Sequence, residues 1–452
     1  MAITDIVAVT ISVQDSAPKA IAFDTPLIVA KGPYVGARLY GATPSGLAEM
    51  LTDGFPAYSR AYQLMTRIAG QSGGAAQAYV FSRTTQHTPV LDFTVDITKT
   101  AVGQVLSFTI SYQGVSSAIS VTVVTNTVDA ILDLIEAAID ASLAGLAGIV
   151  VTPDNATATK LTLTTDTTGE FTQVDLAGAQ WASLEDVGTD GSLAAQLAAG
   201  KTAAEAIDGG TAYGLLIDSY AETEINLAAT FAEANEMLFL GQAPDQEILE
   251  SGQTDDIASD LKTAAFTRSA VCFTRNMTSD WAAGLLGRQL GQTPGSSSWH
   301  MRQIAGATAD VLTGTHFAAA RAKRALLFTT DRGVAHTWDG YAASGRFFDI
   351  THGVDFLKAD IETRIYQAML NVEKISFNGA GLALIESAIR AALGNAETEL
   401  GLVEPGWTVD MPNLTGYSTV DKAARLLRTV RFTAVLTGAV HKVTVAGTLT
   451  LS

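Results

Sequence analysis

Cysteine is nearly missing from this 452-residue chain: Cys272 stands alone. One thiol excludes an intrachain disulfide framework and any cysteine-based zinc site, and it fits synthesis in a reducing cytosol. Charge is also sparse, at 16% of residues against about 25% in a typical domain. So low a density over so long a chain suggests that other subunits cover much of the surface. Basic residues are the scarcer sign, 28 against 46 acidic, for a net charge of −18. That argues against non-specific nucleic-acid binding and against anionic membrane surfaces. Long apolar runs are lacking too. The longest low-polarity stretch, Ala141 to Val151, is about half of what spans a bilayer. No basic start with an apolar run opens the chain, whose first basic residue is Lys19. The expectation is a soluble protein that is not exported by a classical route and does not insert in membranes.

Hydrophobic residues make up 47%. The length supports a real core and about three domains as a soft prior. Charge is spread unevenly. Residues 84–262 hold 26 acidic and 4 basic residues, whereas the rest holds 20 and 24. Either the middle is simply more solvated, or it projects outward while the remainder faces something acidic.

Periodicity divides the chain into five segments. Residues 1–18 form an N-terminal arm: Ile3, Val7, Val9, Ile11 and Val13 share one parity, the mark of a strand with one apolar face. No turn folds it back as a hairpin, so its partner is distant, in its own chain or another. A first core segment covers 19–85, with a strand from Phe23 to Ala30, helices Pro44–Leu51 and Pro56–Ala69, and a strand Ala78–Phe81. Residues 86–208 read as an inserted β-rich domain of β-β-α-β-β order. Its strands are Leu91–Thr98, Val105–Gln113, Ala118–Thr125, Ile149–Val151 and Lys160–Thr165. Its helix is capped by Asn126 or Thr127 and lined by Ile131, Ile135, Ile139 and Leu143. Residues 209–400 return to alternating strands and helices, the pattern of a mostly parallel sheet, and should complete one α/β domain with residues 19–85. Helices Phe356–Leu370 and Leu382–Leu393 follow. The C-terminal segment, 401–452, is α+β: a short helix Asp421–Arg428, then a hairpin. Val430, Phe432, Ala434 and Leu436 share a face of its first strand, and Val443, Val445, Leu449 and Leu451 a face of its second, with the turn at Thr437-Gly438-Ala439. A lone hairpin is marginal in water, and its edges are templates for further strands.

No catalytic constellation emerges. Gly70-Gln71-Ser72-Gly73-Gly74 matches G-x-S-x-G, but a helix precedes it and a strand follows, the reverse of a nucleophile elbow. Ala199-Gly200-Lys201-Thr202 resembles a P-loop ending, yet Ala195 occupies the first glycine position, so it reads as a polar loop. Asn378-Gly379-Ala380-Gly381 lacks the third glycine of a dinucleotide fingerprint and reads as a helix cap. Six scattered histidines (His87, His300, His316, His336, His352, His441) show no metal-ligand spacing. His336 and Asp339 could form an acid–base pair, although Gly333 and Gly340 favour a turn there. No cofactor is expected.

Two stretches carry a family resemblance. One is Gly340-Tyr341-Ala342-Ala343-Ser344-Gly345-Arg346-Phe347-Phe348-Asp349-Ile350 with the helix from Asp355. The other is Arg431-Phe432 with Gly438-Ala439-Val440-His441-Lys442-Val443-Thr444-Val445-Ala446-Gly447. With the order of arm, core, insert and terminal hairpin, they resemble the contractile tail sheath proteins of myovirus-type bacteriophages. The resemblance implies a non-enzymatic structural subunit that stacks as rings around a tail tube, assembled in the host cytoplasm and carried in the virion. Its partners would be itself, the tail tube protein, and baseplate and tail terminator proteins, with no direct nucleic acid. It also implies strand exchange between subunits through the arm residues above and through Phe432, Leu436, Val443, Val445 and Leu449. Lys422, Arg425 and Arg428, at i+3 spacing within a locally basic segment, would then face the tube. Two other classes stay open. An α/β hydrolase would need a placed nucleophile, and an adhesin or S-layer-like protein would need an export signal.

Overall fold

The computed structural model describes residues 23–83, 90–142, 149–153, 159–165, 174–179, 181–188, 192–207, 210–413, 419–427 and 430–441. The arm residues Ile3, Val7, Val9, Ile11 and Val13 lie outside them, as do Arg428, Val443, Val445 and Leu449. The described residues form two compact units, 23–354 with 437–441, and 355–436.

The larger unit begins with β1 (Pro26–Lys31), β2 (Gly36–Gly41), α1 (Pro44–Thr52), α2 (Arg60–Ala69) and β3 (Gln77–Arg83). Helix α2 starts at 60 rather than 56, because the Ser59 hydroxyl accepts the Tyr62 N–H and caps it there. The insert follows as β4 (Leu91–Val95), β5 (Val105–Tyr112), β6 (Val115–Thr122), α3 (Val128–Ser142), β7 (Ile149–Pro153), β8 (Leu161–Thr165), β9 (Val174–Ala177) and β10 (Ala182–Asp186). All five expected strands are present, but three of them, not two, precede α3, so the order is β-β-β-α-β-β with β9 and β10 added rather than β-β-α-β-β. It forms an antiparallel four-stranded sheet, β10-β4-β8-β7, and a three-stranded sheet, β6-β5-β9. Gln113 and Gly114 both take positive φ, 47° and 81°, which fits a two-residue type I′ turn and starts β6 at 115 rather than 118. Phe93, Phe108 and Trp181 cluster between the sheets, with Ile131, Ile135 and Ile139 of α3 in the same core.

Beyond the insert come α4 (Leu193–Glu205), β11 (Gly214–Ile217), α5 (Glu222–Ala234), β12 (Leu238–Ala243), α6 (Ile257–Ala264), β13 (Ser269–Phe273), α7 (Trp281–Leu290), α8 (Gly314–Ala322), β14 (Leu327–Asp331) and β15 (Val334–Trp338). The core sheet runs β13-β12-β11-β1-β3-β2, parallel except for β2 at the edge. β1 lies between β3 and β11, with Leu27 opposite both Tyr79 and Leu215. The insert thus interrupts one sheet, as the alternating pattern predicts. Both faces are covered. Ile28, Ala30, Val80, Leu216, Leu240 and Cys272 join α2 and α7 on one side; Leu27, Val29, Phe81, Leu215, Phe239 and Val271 join α4, α5 and α6 on the other. Burial on both faces explains why these strands read as unbroken apolar runs.

The polar-loop reading of 199–202 is wrong. These residues lie inside α4, and Gly200 is buried so close to Phe81 that a Cβ there would sit 3.1 Å from the ring. The helix falls within the 86–208 segment, yet Leu193, Leu197 and Ala204 pack in the core-sheet cluster. The 70–74 glycines have a packing role. Gly70 caps α2, the Ala75 N–H donates to the Gly287 carbonyl at 2.7 Å, and a Cβ at Gly291 would collide with the Gly74 carbonyl. Backbone on both sides leaves nothing free to move. Gly291→Ala is therefore expected to lower stability by about 1–3 kcal/mol, as overpacking does. Gly252→Ala, which meets nothing within 4 Å, should be near neutral; denaturant midpoints compare the two.

The smaller unit holds most of α9 (Phe348–Leu370), then α10 (Gly379–Thr398), β16 (Thr408–Asp410), α11 (Thr419–Ala423) and β17 (Arg431–Thr433). Asn378 caps α10 by accepting the Gly381 N–H at 2.9 Å, as expected from the sequence. Leu357, Ile389, Leu393, Ala396, Leu400 and Val403 form its core.

Candidate assembly surfaces

The predicted site residues that are described all lie in the smaller unit. β17 pairs antiparallel with β16, placing Phe432 opposite Val409, and a bridge joins Leu436 to Val403. The expected first strand of the hairpin thus has a partner upstream in the chain, one the sequence reading missed because Thr408–Asp410 is only three residues long. The expected second strand lies outside the described residues. Val430 and Ala434 pack against the core. Phe432 and Leu436 do not, at 45% and 38% exposed, so the shared apolar face is only half used within this chain.

The basic helix is corrected more sharply. α11 ends at Ala423, and Arg425 takes φ 54°. The Leu426 N–H donates to the Asp421 carbonyl and the Arg425 N–H to the Lys422 carbonyl, a Schellman closure with Arg425 as its left-handed residue. Lys422 and Arg425 therefore do not share a helical face. Both are exposed; Arg428 lies outside the described residues.

Further apolar surface lies open on the same unit. Tyr366, Met369 and Leu370 are each more than half exposed, at the i, i+3, i+4 spacing that makes one stripe of α9. Met369 departs from the expected Leu357–Ile361–Ile365–Met369 row, whose first three members pack inward. Val420 and Val435 are exposed as well. The α9 stripe is a candidate interaction face.

His336 and Asp339 do not form an acid–base pair. Asp339 is held by Arg321 through two bonds, 2.5 and 2.6 Å, and its N–H donates to His300 Nδ1 at 3.0 Å. The fold instead stacks His300 on His441, ring centres 4.6 Å apart. Their separation of 141 positions in the chain hides this pairing from sequence. Burial, with His441 and then the opposing Asp339, holds the His300 pKa below its usual value. Burial pushes the Cys272 thiol well up, so it is not poised for thiolate chemistry. Among the described residues no helix is long and apolar enough to cross a membrane.

No protein-family profile and no curated protein matches the chain. Solved structures do. A chain in the contracted-state sheath complex of PVC, an extracellular contractile injection system, aligns over 98% of this chain and 97% of its own, with TM-score 0.51 at 9% identity. A chain of the anti-feeding prophage baseplate aligns over 98% and 100%, with TM-score 0.51 at 10% identity. A sheath tail protein from Desulfitobacterium hafniense aligns over 89% and 93%, with TM-score 0.47 at 11% identity. The chain has the fold of contractile-system sheath proteins.

Proposed function

We propose that this protein is the structural subunit of a bacteriophage contractile tail sheath, polymerising around the tail tube and contracting to drive it through the host envelope. The observation that carries this reading is the shared fold with a contracted sheath complex over nearly the whole of both chains. The β16–β17 pair, a two-stranded sheet among the described residues, supports it. A two-stranded sheet is marginal by itself, and all three residues of β17 are exposed. An added strand from a neighbour would supply hydrogen bonds without demanding a fixed angle between subunits. Contraction would then be a change between two sets of interfaces, with no nucleotide consumed. Tube, baseplate and terminator proteins are the partners, and the acidic insert faces outward. Electron microscopy of the purified chain tests the proposal: regular tubes are expected, and persistent monomers at high concentration would sink it.

In this reading Lys422, Arg425 and Arg428 meet acidic groups on the tube. Exposed charge pairs are weak and salt-screened, which suits contacts that must release. Glutamate at all three positions is expected to leave empty sheath polymers intact while cutting co-assembly with tube several-fold at low salt. Unchanged co-assembly would turn these residues elsewhere.

A further inference from the structure

A cavity of about 200 Å³ opens between the insert and the core-sheet domain. Glu185 reaches it from β10, Glu222 from the start of α5, Asp245 and Glu247 from the loop after β12, and Asp255 from the approach to α6. Its one lining ammonium, Lys160, is engaged by Asp92 at 2.5 Å, and the other Asp92 oxygen accepts from Thr162. Besides Asp92, five carboxylates thus face one space in which Lys160, which also attracts Glu185, is the single ammonium among the described lining residues. The neighbouring Asp256 is held by Lys323 at 2.7 Å.

Asp245 adds an independent observation. The residue is only 6% exposed. One of its oxygens accepts the Glu247 N–H at 2.8 Å, and the other is buried with no hydrogen-bond partner. A buried acceptor without a donor needs a ligand, because its lost hydration is not otherwise replaced. The cavity has room for about six waters. Among the described residues no three such groups close around a bare ion. Direct coordination is therefore disfavoured, and contact through water is left.

We infer that this cavity binds a divalent cation with its hydration shell, held by carboxylates of both the insert and the core-sheet domain and fastening one to the other. Mg²⁺ suits it, since it sheds water reluctantly and binds through few or no direct carboxylate contacts. Without the ion, protons serve in its place. Burial, reinforced by Glu185, Asp256 and Asp260 and opposed by the Ile257 N–H, pushes Glu222 up to about 7. Burial, reinforced by Glu222, Asp256 and Glu247 and opposed by the Glu247 N–H, pushes Asp245 up to about 8. Both folded values exceed the usual carboxyl range, so the folded state takes up protons. Its stability is full in acid and falls as pH rises towards 8.

Thermal unfolding of the full chain, unassembled, tests this with MgCl₂ against NaCl at matched ionic strength. Mg²⁺ is expected to raise Tm by several degrees beyond NaCl. Hexaamminecobalt(III), which cannot shed its ligands, should protect as Mg²⁺ does. Asp245→Asn and, from the insert side, Glu185→Gln should each weaken the Mg²⁺ response at least tenfold in midpoint concentration while raising Tm without the ion at high pH. A Mg²⁺ effect no larger than that of NaCl, or one retained in both variants, overturns the site. Protection by Mg²⁺ but not by hexaamminecobalt overturns binding through the water shell.

Discussion

Replacing Arg83 with alanine is expected to destabilise the larger unit by about 3–5 kcal/mol, the cost of breaking a buried ion pair from one side. Arg83 ends β3, and its side chain is wholly buried. It pairs with Asp218, just after β11, and approaches Glu224 of α5 at 3.6 Å. The second Asp218 oxygen accepts the Lys31 N–H at the end of β1, 2.9 Å away. One guanidinium therefore links β3, β11 and α5, and through Asp218 it reaches β1. These are the elements that the insert separates in sequence. Alanine would leave two buried carboxylates facing each other. A loss of this size is a large share of the stability of a typical domain, so low soluble yield is expected as well. Denaturant midpoints measure it; a loss under about 1 kcal/mol would mean that water reaches the site and the pair counts as a surface one. Replacing all three groups with apolar residues of similar volume should recover much of the loss.

Removing residues 2–16 is expected to leave a folded, soluble chain that forms no tubes. The reason lies in the pattern of Ile3, Val7, Val9, Ile11 and Val13. One strand with one apolar face and no hairpin turn needs a sheet edge elsewhere. Among the described residues the β16–β17 pair has no third strand, and Phe432, Val435 and Leu436 are exposed around it. If donation occurs between subunits, truncation shifts Tm little and abolishes polymer in electron micrographs. Aggregation or unfolding of the truncated chain would assign the strand to its own core instead.

The elements legible in the sequence are those whose pattern is local. The parallel strands β1, β3, β11, β12 and β13 show as short apolar runs because both of their faces are buried. Helix α3 shows through its Ile131–Ile135–Ile139 row. The cap at Asn378 shows through side-chain chemistry that needs nothing distant. The missed elements lack such a pattern. β9 and β16 have four residues or fewer. β2 and β15, at edges, mix buried and exposed positions. α4 is rich in alanine and has almost no apolar asymmetry, so its glycine and threonine read as a loop.

Composition and periodicity were enough to show that a mostly parallel α/β sheet is built from segments on either side of an acidic, β-rich stretch. This follows from periods of two or about 3.6 residues, which local backbone geometry imposes. Which distant groups meet was decided by the folded chain. Arg83 finds Asp218 across 135 positions, His300 stacks on His441, and carboxylates from residues 185 to 255 line one cavity. Folding also ended α11 before Arg425, through a left-handed residue that i+3 spacing cannot reveal. Periodicity records which face of an element is buried. It does not record what that face is buried against, and the partner is what sets the charge, the hydration and the strand pairing at each of these sites.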